Sequence, residues 1–194
     1  MRKLFASVLV VLSSFSSRTS HAVVPPSSTI NPDLQTAERS PDMSGSKVLK
    51  VSDFLSEKNI CFFDSNASKQ EILTGLISTL QVPNPEQALE AVLAREAAGS
   101  TMIAPGLMVP HARVAGLSRI RVAVGFVKTA ASAGPNEPRI WMLFLGSSEK
   151  VPEHLAFLSG ISALFQVEGL LNTLPQLPDA PKVLARIRAV EEAF

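Results

Sequence analysis

The segment Arg95-Glu96-Ala97-Ala98-Gly99-Ser100-Thr101-Met102-Ile103-Ala104-Pro105-Gly106-Leu107-Met108-Val109-Pro110-His111 decides how the rest of the chain is read. It runs from a helix end, through the turn dipeptide Pro105-Gly106, to an imidazole on a loop fixed by Pro110. The 194 residues include only three histidines. His21 falls in a leader-like stretch, so His111 and His154 are the imidazoles that a folded domain can use.

Outward from this segment, helices and strands alternate. On its N-terminal side, Ser52-Asp53 can cap a helical turn in Leu49–Leu55, and Ile60–Phe63 reads as a strand or buried extended segment. Ser68 can cap a helix over Lys69–Leu80, whose Ile72, Leu73, Leu76, Ile77 and Leu80 share one face. Gln81-Val82-Pro83 breaks it. Asn84 caps a second helix with Pro85 in its first turn, and Gly99 ends it, which puts Arg95 in its last turns. Ser100–Val109 reads as a strand or hairpin around Pro105-Gly106.

Beyond His111, Ile120–Val127 alternates and then turns wholly apolar, as a strand entering a sheet does. Arg139–Leu145 is a continuous apolar run that fits a central strand, joined to it by the connection Lys128–Pro138. A helix starting at Ser147, Ser148 or near Pro152 carries His154 in its first turn. Gly169–Leu174 is a short helical piece, and Asp179 can cap a last helix over Ala180–Phe194. The interleaving predicts an α/β fold: a single domain, with a mixed β-sheet flanked by α-helices.

Composition narrows the function. The net charge is +1, charged residues make up 18 % of the chain, and no Lys/Arg block stands out, so nothing points to a nucleic-acid partner. The single Cys61 cannot form an internal disulfide, and within Ile60-Cys61-Phe62-Phe63 it reads as a small buried hydrophobe.

At the N-terminus, the basic Met1-Arg2-Lys3, the apolar Leu4–Leu12 and the small residues of Ser20-His21-Ala22 resemble a secretory signal. The apolar run is shorter than the ~20 residues of a membrane span, so no stable membrane insertion is expected. Val23–Asp42 is rich in Pro, Ser, Thr and Asn and reads as a disordered linker. Met43 precedes the first patterned segment and could be the translation start. The expected organisation is a leader and linker over residues 1–42 and one folded domain over 43–194.

An imidazole with an arginine in reach can transfer protons, bind metal or accept a phosphoryl group. A hydrolytic triad lacks its nucleophile elbow, since Ser100 sits in Gly-Ser-Thr and not in G-x-S-x-G. A zinc site needs three or four ligands, and two histidines without closely spaced Cys or Glu supply too few. Phosphoryl transfer needs least: a ring nitrogen with a fixed tautomer and donors for the equatorial oxygens. Arg95, the hydroxyls of Ser100 and Thr101, and His154 offer such donors. No cofactor is needed, and Gly99–Gly106 lacks the lysine and spacing of a nucleotide-binding P-loop.

Residue types alone read more simply. His111 fits an ordinary surface histidine, Arg95 a charge complementing its helix dipole, and His154 a half-buried helix-start residue. Met102, Leu107, Met108 and Val109 fit either core or a docking rim.

The motif Arg95-Glu96, Gly99-Ser100-Thr101, Gly106 and Val109-Pro110-His111 resembles the signature of phosphotransferase-system enzyme IIA domains of the fructose, mannitol and nitrogen-regulatory type, approximately R-E-x-x-G-S-T-G-I-G-x-G-I-A-I-P-H. The match has no gap, and weaker likeness extends over about residues 47–193, including Lys50–Leu55 and His154-Leu155. The resemblance implies that His111 is the phosphorylated nucleophile, that Arg95 and His154 are its active-site partners, and that the donor is an HPr-like phosphocarrier. The implied function is a phosphoryl carrier for sugar uptake, a phosphotransferase passing the group to a separate enzyme IIB. The alternative is a regulatory protein whose His111 phosphorylation state selects partner proteins without sugar transport. Met102 and Ala104 stand where the family has glycines and Pro105 precedes Gly106, so a bulkier, stiffer loop that displaces a backbone amide is expected. Such a relay works in the cytosol; export is the alternative if residues 1–22 act as a signal.

Overall fold

Every residue of Ile140–Ser147, here strand β6, is buried, and a strand shielded on both faces must lie mid-sheet under cover from two sides. The computed structural model describes residues 49–128, 134 and 137–193. The leader and linker expected over residues 1–42, the candidate start Met43, most of the Lys128–Pro138 connection and Phe194 lie outside the described residues.

Along one edge of β6 runs β5 (Arg121–Val127), antiparallel, in register from Arg121↔Leu145 to Phe126↔Ile140. Two short parallel strands share the other edge: β3 (Leu107–Met108) opposite Ile140 and Trp141, and β4 (His111–Val114) opposite Phe144 to Ser147. The sheet is completed by β1 (Ile60–Phe63), parallel to β5, and β2 (Met102–Ala104), antiparallel to β3. It is therefore mixed, as expected.

Alternation along β6 divides the core in two. Ile140, Met142 and Phe144 pack with residues of α3 (Val151–Phe165) and α5 (Ala180–Glu191). Trp141, Leu143 and Leu145 pack with residues of α1 (Lys69–Ser78) and α2 (Pro85–Ala97). A one-turn helix, α4 (Leu170–Thr173), contributes Leu170 to the first cluster. The chain folds as an α/β domain with an open mixed sheet flanked by helices.

Three expected caps are made. Ser68 and Glu71 form a reciprocal capping box at α1, the Asn84 side chain accepts from Gln87 N, and that of Asp179 accepts from Lys182 N.

α3 begins at Val151, beside Pro152 and within the expected range, without a side-chain cap; Ser147 Oγ accepts from Glu149 N ahead of it. Two readings need correction. Cys61 is half-buried, although burial still pushes its thiol pKa up. Most consequentially, His111 opens a strand and does not sit on a loop. Pro110 has no N–H, so the ladder beside β6 lapses between β3 and β4, but its carbonyl accepts from Phe144 N and pairing resumes at His111.

Candidate functional site

The motif's first half acts as scaffold. Glu96, at the end of α2, accepts from the backbone N–H of Thr101 at 3.1 Å and from the Thr101 hydroxyl, and its other oxygen meets Lys69 of α1 at 3.0 Å. Burial works against the charge on Glu96, but the Thr101 hydroxyl and Lys69 outweigh it and hold its pKa below the ordinary value. The anchored Thr101 carbonyl accepts from Val109 N at 3.0 Å, which fixes the return strand two residues ahead of His111. Between them Gly106 makes the turn at φ +82°, and its carbonyl accepts from both Arg139 N and Ile140 N at the foot of β6.

His111 enters on this support. Nδ1 lies 2.8 Å from the carbonyl oxygen of Val109. A carbonyl can only accept, so Nδ1 carries the proton and Nε2 holds the free lone pair. The ring stacks on Phe144 with centroids 5.3 Å apart and planes 15° apart. Phe144 also carries the ring of His154 at 4.8 Å, and the two imidazole centroids are 5.4 Å apart.

His154 comes from the first turn of α3 and is 7 % exposed. Its Nδ1 is buried without a protein partner and is turned against Gly146, where an added Cβ would stand 2.7 Å away. Both imidazoles are held neutral at pH 7. Burial chiefly lowers the pKa of His111 and the charge of Arg95 adds to this, against the opposing Val109 carbonyl and Glu96. Burial, then His111, Arg113 and Arg95, bring His154 down to about 4.

These rings line an open depression of about 650 Å³ together with Arg95, Arg113, Ser148, Leu155 and others. Arg95 reaches it from the last turn of α2, where its Nη1 donates to the carbonyl of Gly99 at 3.0 Å. The structure thus brings together Arg95, His111 and His154 and leaves out the other two candidates. Thr101 is buried with its hydroxyl given to Glu96, and Ser100 Oγ accepts from Met102 N at 3.3 Å. Neither lines the depression.

Arg113 was missed by the reading of the sequence. Its signal is the period of two along a strand, which puts residues 111 and 113 on one side of β4, and it was hidden once His111 was taken as a loop residue. The expected effect of the bulky loop is not seen at the depression: Met102 and Ile103 are exposed on the hairpin, and neither Ala104 nor Pro105 lines the site.

A neutral imidazole of fixed tautomer, lining an open depression together with two guanidinium groups on an α/β domain, is chemically able to take an anionic group on its free ring nitrogen. Residues 53–190 match the family described as "Phosphoenolpyruvate-dependent sugar phosphotransferase system, EIIA 2", and the chain belongs to that family. No curated protein matches it.

Among solved structures, nitrogen regulatory protein IIA-Ntr from Neisseria meningitidis is similar with TM-score 0.61 and 23 % identity, over 71 % of this chain and 98 % of that one. IIA mannitol from Escherichia coli is similar with TM-score 0.54 and 18 % identity, over 69 % and 98 %. The Escherichia coli complex of enzyme IIA mannitol with phosphorylated enzyme IIB mannitol gives TM-score 0.52 and 16 % identity, over 70 % and 97 %. At these identities the likeness carries the fold. Among the described residues no helix is long and apolar enough to cross a membrane, although α3 and the segment after it would pass by length and composition as a sharply bent pair.

Proposed function

We propose that this protein carries a phosphoryl group on Nε2 of His111, taken from an HPr-like phosphocarrier and passed to an enzyme IIB partner in sugar uptake. The observation that carries the reading is the hydrogen bond from His111 Nδ1–H to the Val109 carbonyl at 2.8 Å, because it leaves Nε2 as the nucleophile. Membership of the family supports the reaction class.

In the transfer, the bond from phosphorus to the donor's ring nitrogen breaks and the electron pair stays with the donor. The Nε2 lone pair forms the new N–P bond, so the His111 ring gains positive charge. The Val109 carbonyl already accepts from Nδ1–H and stabilises that charge. Arg95 and Arg113 supply planar donor forks for the phosphoryl oxygens. His154 Nδ1 is turned into the protein, so its Nε2 is the nitrogen left to meet the group. Because His154 is neutral, it adds no further cation beyond Arg95 and Arg113 to trap the phosphate, which suits a carrier that must give it up again.

A regulatory role, in which phospho-His111 selects partner proteins without sugar transport, shares every step up to the phosphorylated ring. Only the acceptor separates the two. A donor of this kind supports a cytosolic location, and the functional domain proposed covers residues 43–194.

The test is transfer from phosphoenolpyruvate, enzyme I and HPr to the wild-type chain beside His111→Ala. We expect acid-labile label in the wild type alone. Label on His111→Ala, or none on a folded wild type, would overturn the reading, and a pull-down that recovered only IIB subunits would remove the regulatory alternative.

A further inference from the structure

Four cations from three parts of the sequence meet away from His111. Lys58 lies in the turn before β1, Arg119 and Arg121 at the start of β5, and Arg188 on α5; together they line an open groove of about 770 Å³. It shares no lining residue with the His111 depression. Asp53 and Glu57 also line it, which leaves the cations two in excess. Among the described residues, the ion pairs are Lys69–Glu96, Lys128–Asp64 and Lys182–Asp179, so none of the four is neutralised by a paired carboxylate.

Arg121 supplies the sharper observation. Its Nε is shut off from solvent and has no acceptor in the protein. A buried N–H of a charged group is costly without an acceptor and calls for an explanation wherever it occurs. Here the unpartnered atom belongs to a side chain that lines a groove of like charges, and the floor of that groove includes the buried apolar residues Leu80, Ile120, Val122 and Leu184.

We infer that this groove binds a small organic phosphate, a monoester on a body of sugar or nucleoside size. The two excess positive charges match a phosphate dianion. Guanidinium forks suit phosphate oxygens in a way that a lone lysine does not. The volume lies within the range of about 300–1,000 Å³ typical of small-molecule sites, and the apolar floor offers surface to the ester's body. The site is independent of phosphorylation at His111, so either reading can fail alone.

The test is calorimetric titration of the intact protein at low salt with glucose 6-phosphate, AMP and inorganic phosphate, with glucose and adenosine as uncharged controls. We expect at least one monoester to bind more tightly than about 1 mM, more tightly than inorganic phosphate and than its own uncharged control. Arg119 and Arg188 are both exposed, so the double variant Arg119→Ala/Arg188→Ala should keep its thermal unfolding temperature and lose affinity by about tenfold or more. His111→Ala should bind as the wild type does. The proposal is overturned if neither monoester binds at about 10 mM, if the double variant binds undiminished, or if His111→Ala abolishes binding, which would place the phosphate at the other site. Inorganic phosphate binding as tightly as both esters overturns it too, because the floor then selects nothing.

Discussion

At the scale of the residue, the two histidines are tuned by what surrounds them and not by their own chemistry, and pH exposes this. His154 titrates near 4 in the folded chain against 6.5 ordinarily. Between those values the unfolded chain binds more protons, so stability falls as pH falls. The effect is absent above about 6.5, amounts to at most about 2 kcal/mol by pH 5, and levels out below about 4. The lowered pKa of His111 acts in the same direction. Urea unfolding at pH 7 and pH 5 should show this loss in the wild type and a flatter dependence in His154→Phe; an unchanged slope in the variant would mean that another group is responsible. Arg113 is the second residue-scale case. It is exposed on β4 and lines the depression, so Arg113→Ala should leave the unfolding midpoint within about 0.5 kcal/mol of wild type. The same change should slow phosphoryl transfer to His111 by about tenfold to a hundredfold. A transfer rate equal to wild type would leave Arg95 as the only arginine needed.

At the scale of the element, the site depends on how closely α3 approaches β6. Gly146 is a point of close approach, since a Cβ there would stand 2.7 Å from His154 Nδ1. Ala at 146 must push the imidazole or the first turn of α3 away from Phe144, at a cost of about 1–3 kcal/mol. We expect Gly146→Ala to fold, to be less stable by that amount, and to slow transfer to His111; denaturant titration and the transfer assay check both. A variant destabilised but unimpaired in transfer would show that His154 only fills space. What the sequence revealed and what it hid also divide at this scale. Caps at Ser68, Asn84 and Asp179 and the apolar faces of the helices are local patterns, so they were legible. Strand β4 was not. Pro110 before it and Gly116 after it read as loop, four residues give little alternation to read, and the partner strand begins about thirty residues further on. Within the site, Arg95, His111 and His154 could be found because they are rare or lie in the motif. The use of the Thr101 hydroxyl could not, because a threonine after Gly-Ser can donate to a ligand or to Glu96 alike. The cations of the groove were invisible because three separate segments supply them.

At the scale of the whole molecule, the two ends of the described chain are locked by one carboxylate. Glu191 is 2 % exposed and accepts from Val51 N at 2.6 Å and Ser52 N at 3.0 Å, satisfying the open N–H groups of the first short helical turn from the far end of α5. Leu49 is held from another side, since its carbonyl lies where a Cβ at Gly160 of α3 would overlap it. These contacts require a folded unit that begins no later than Leu49. A chain of residues 43–194 should therefore unfold at the same denaturant midpoint as the same domain within the full chain. One starting at Asp53 loses both donors to Glu191 and leaves a buried carboxylate uncompensated, which costs about 2–4 kcal/mol. Glu191→Gln separates charge from packing. It keeps the shape and one acceptor oxygen, but its amide NH2 faces one of the two backbone N–H donors, so one bond is lost and the other weakened, and a loss of about 1–3 kcal/mol is expected with transfer to His111 unaffected. If Glu191→Gln is as stable as wild type while the chain from Asp53 is not, the lock is the packing of residues 49–52 on α3 and not the carboxylate. If neither loses stability, the ends do not hold the fold together.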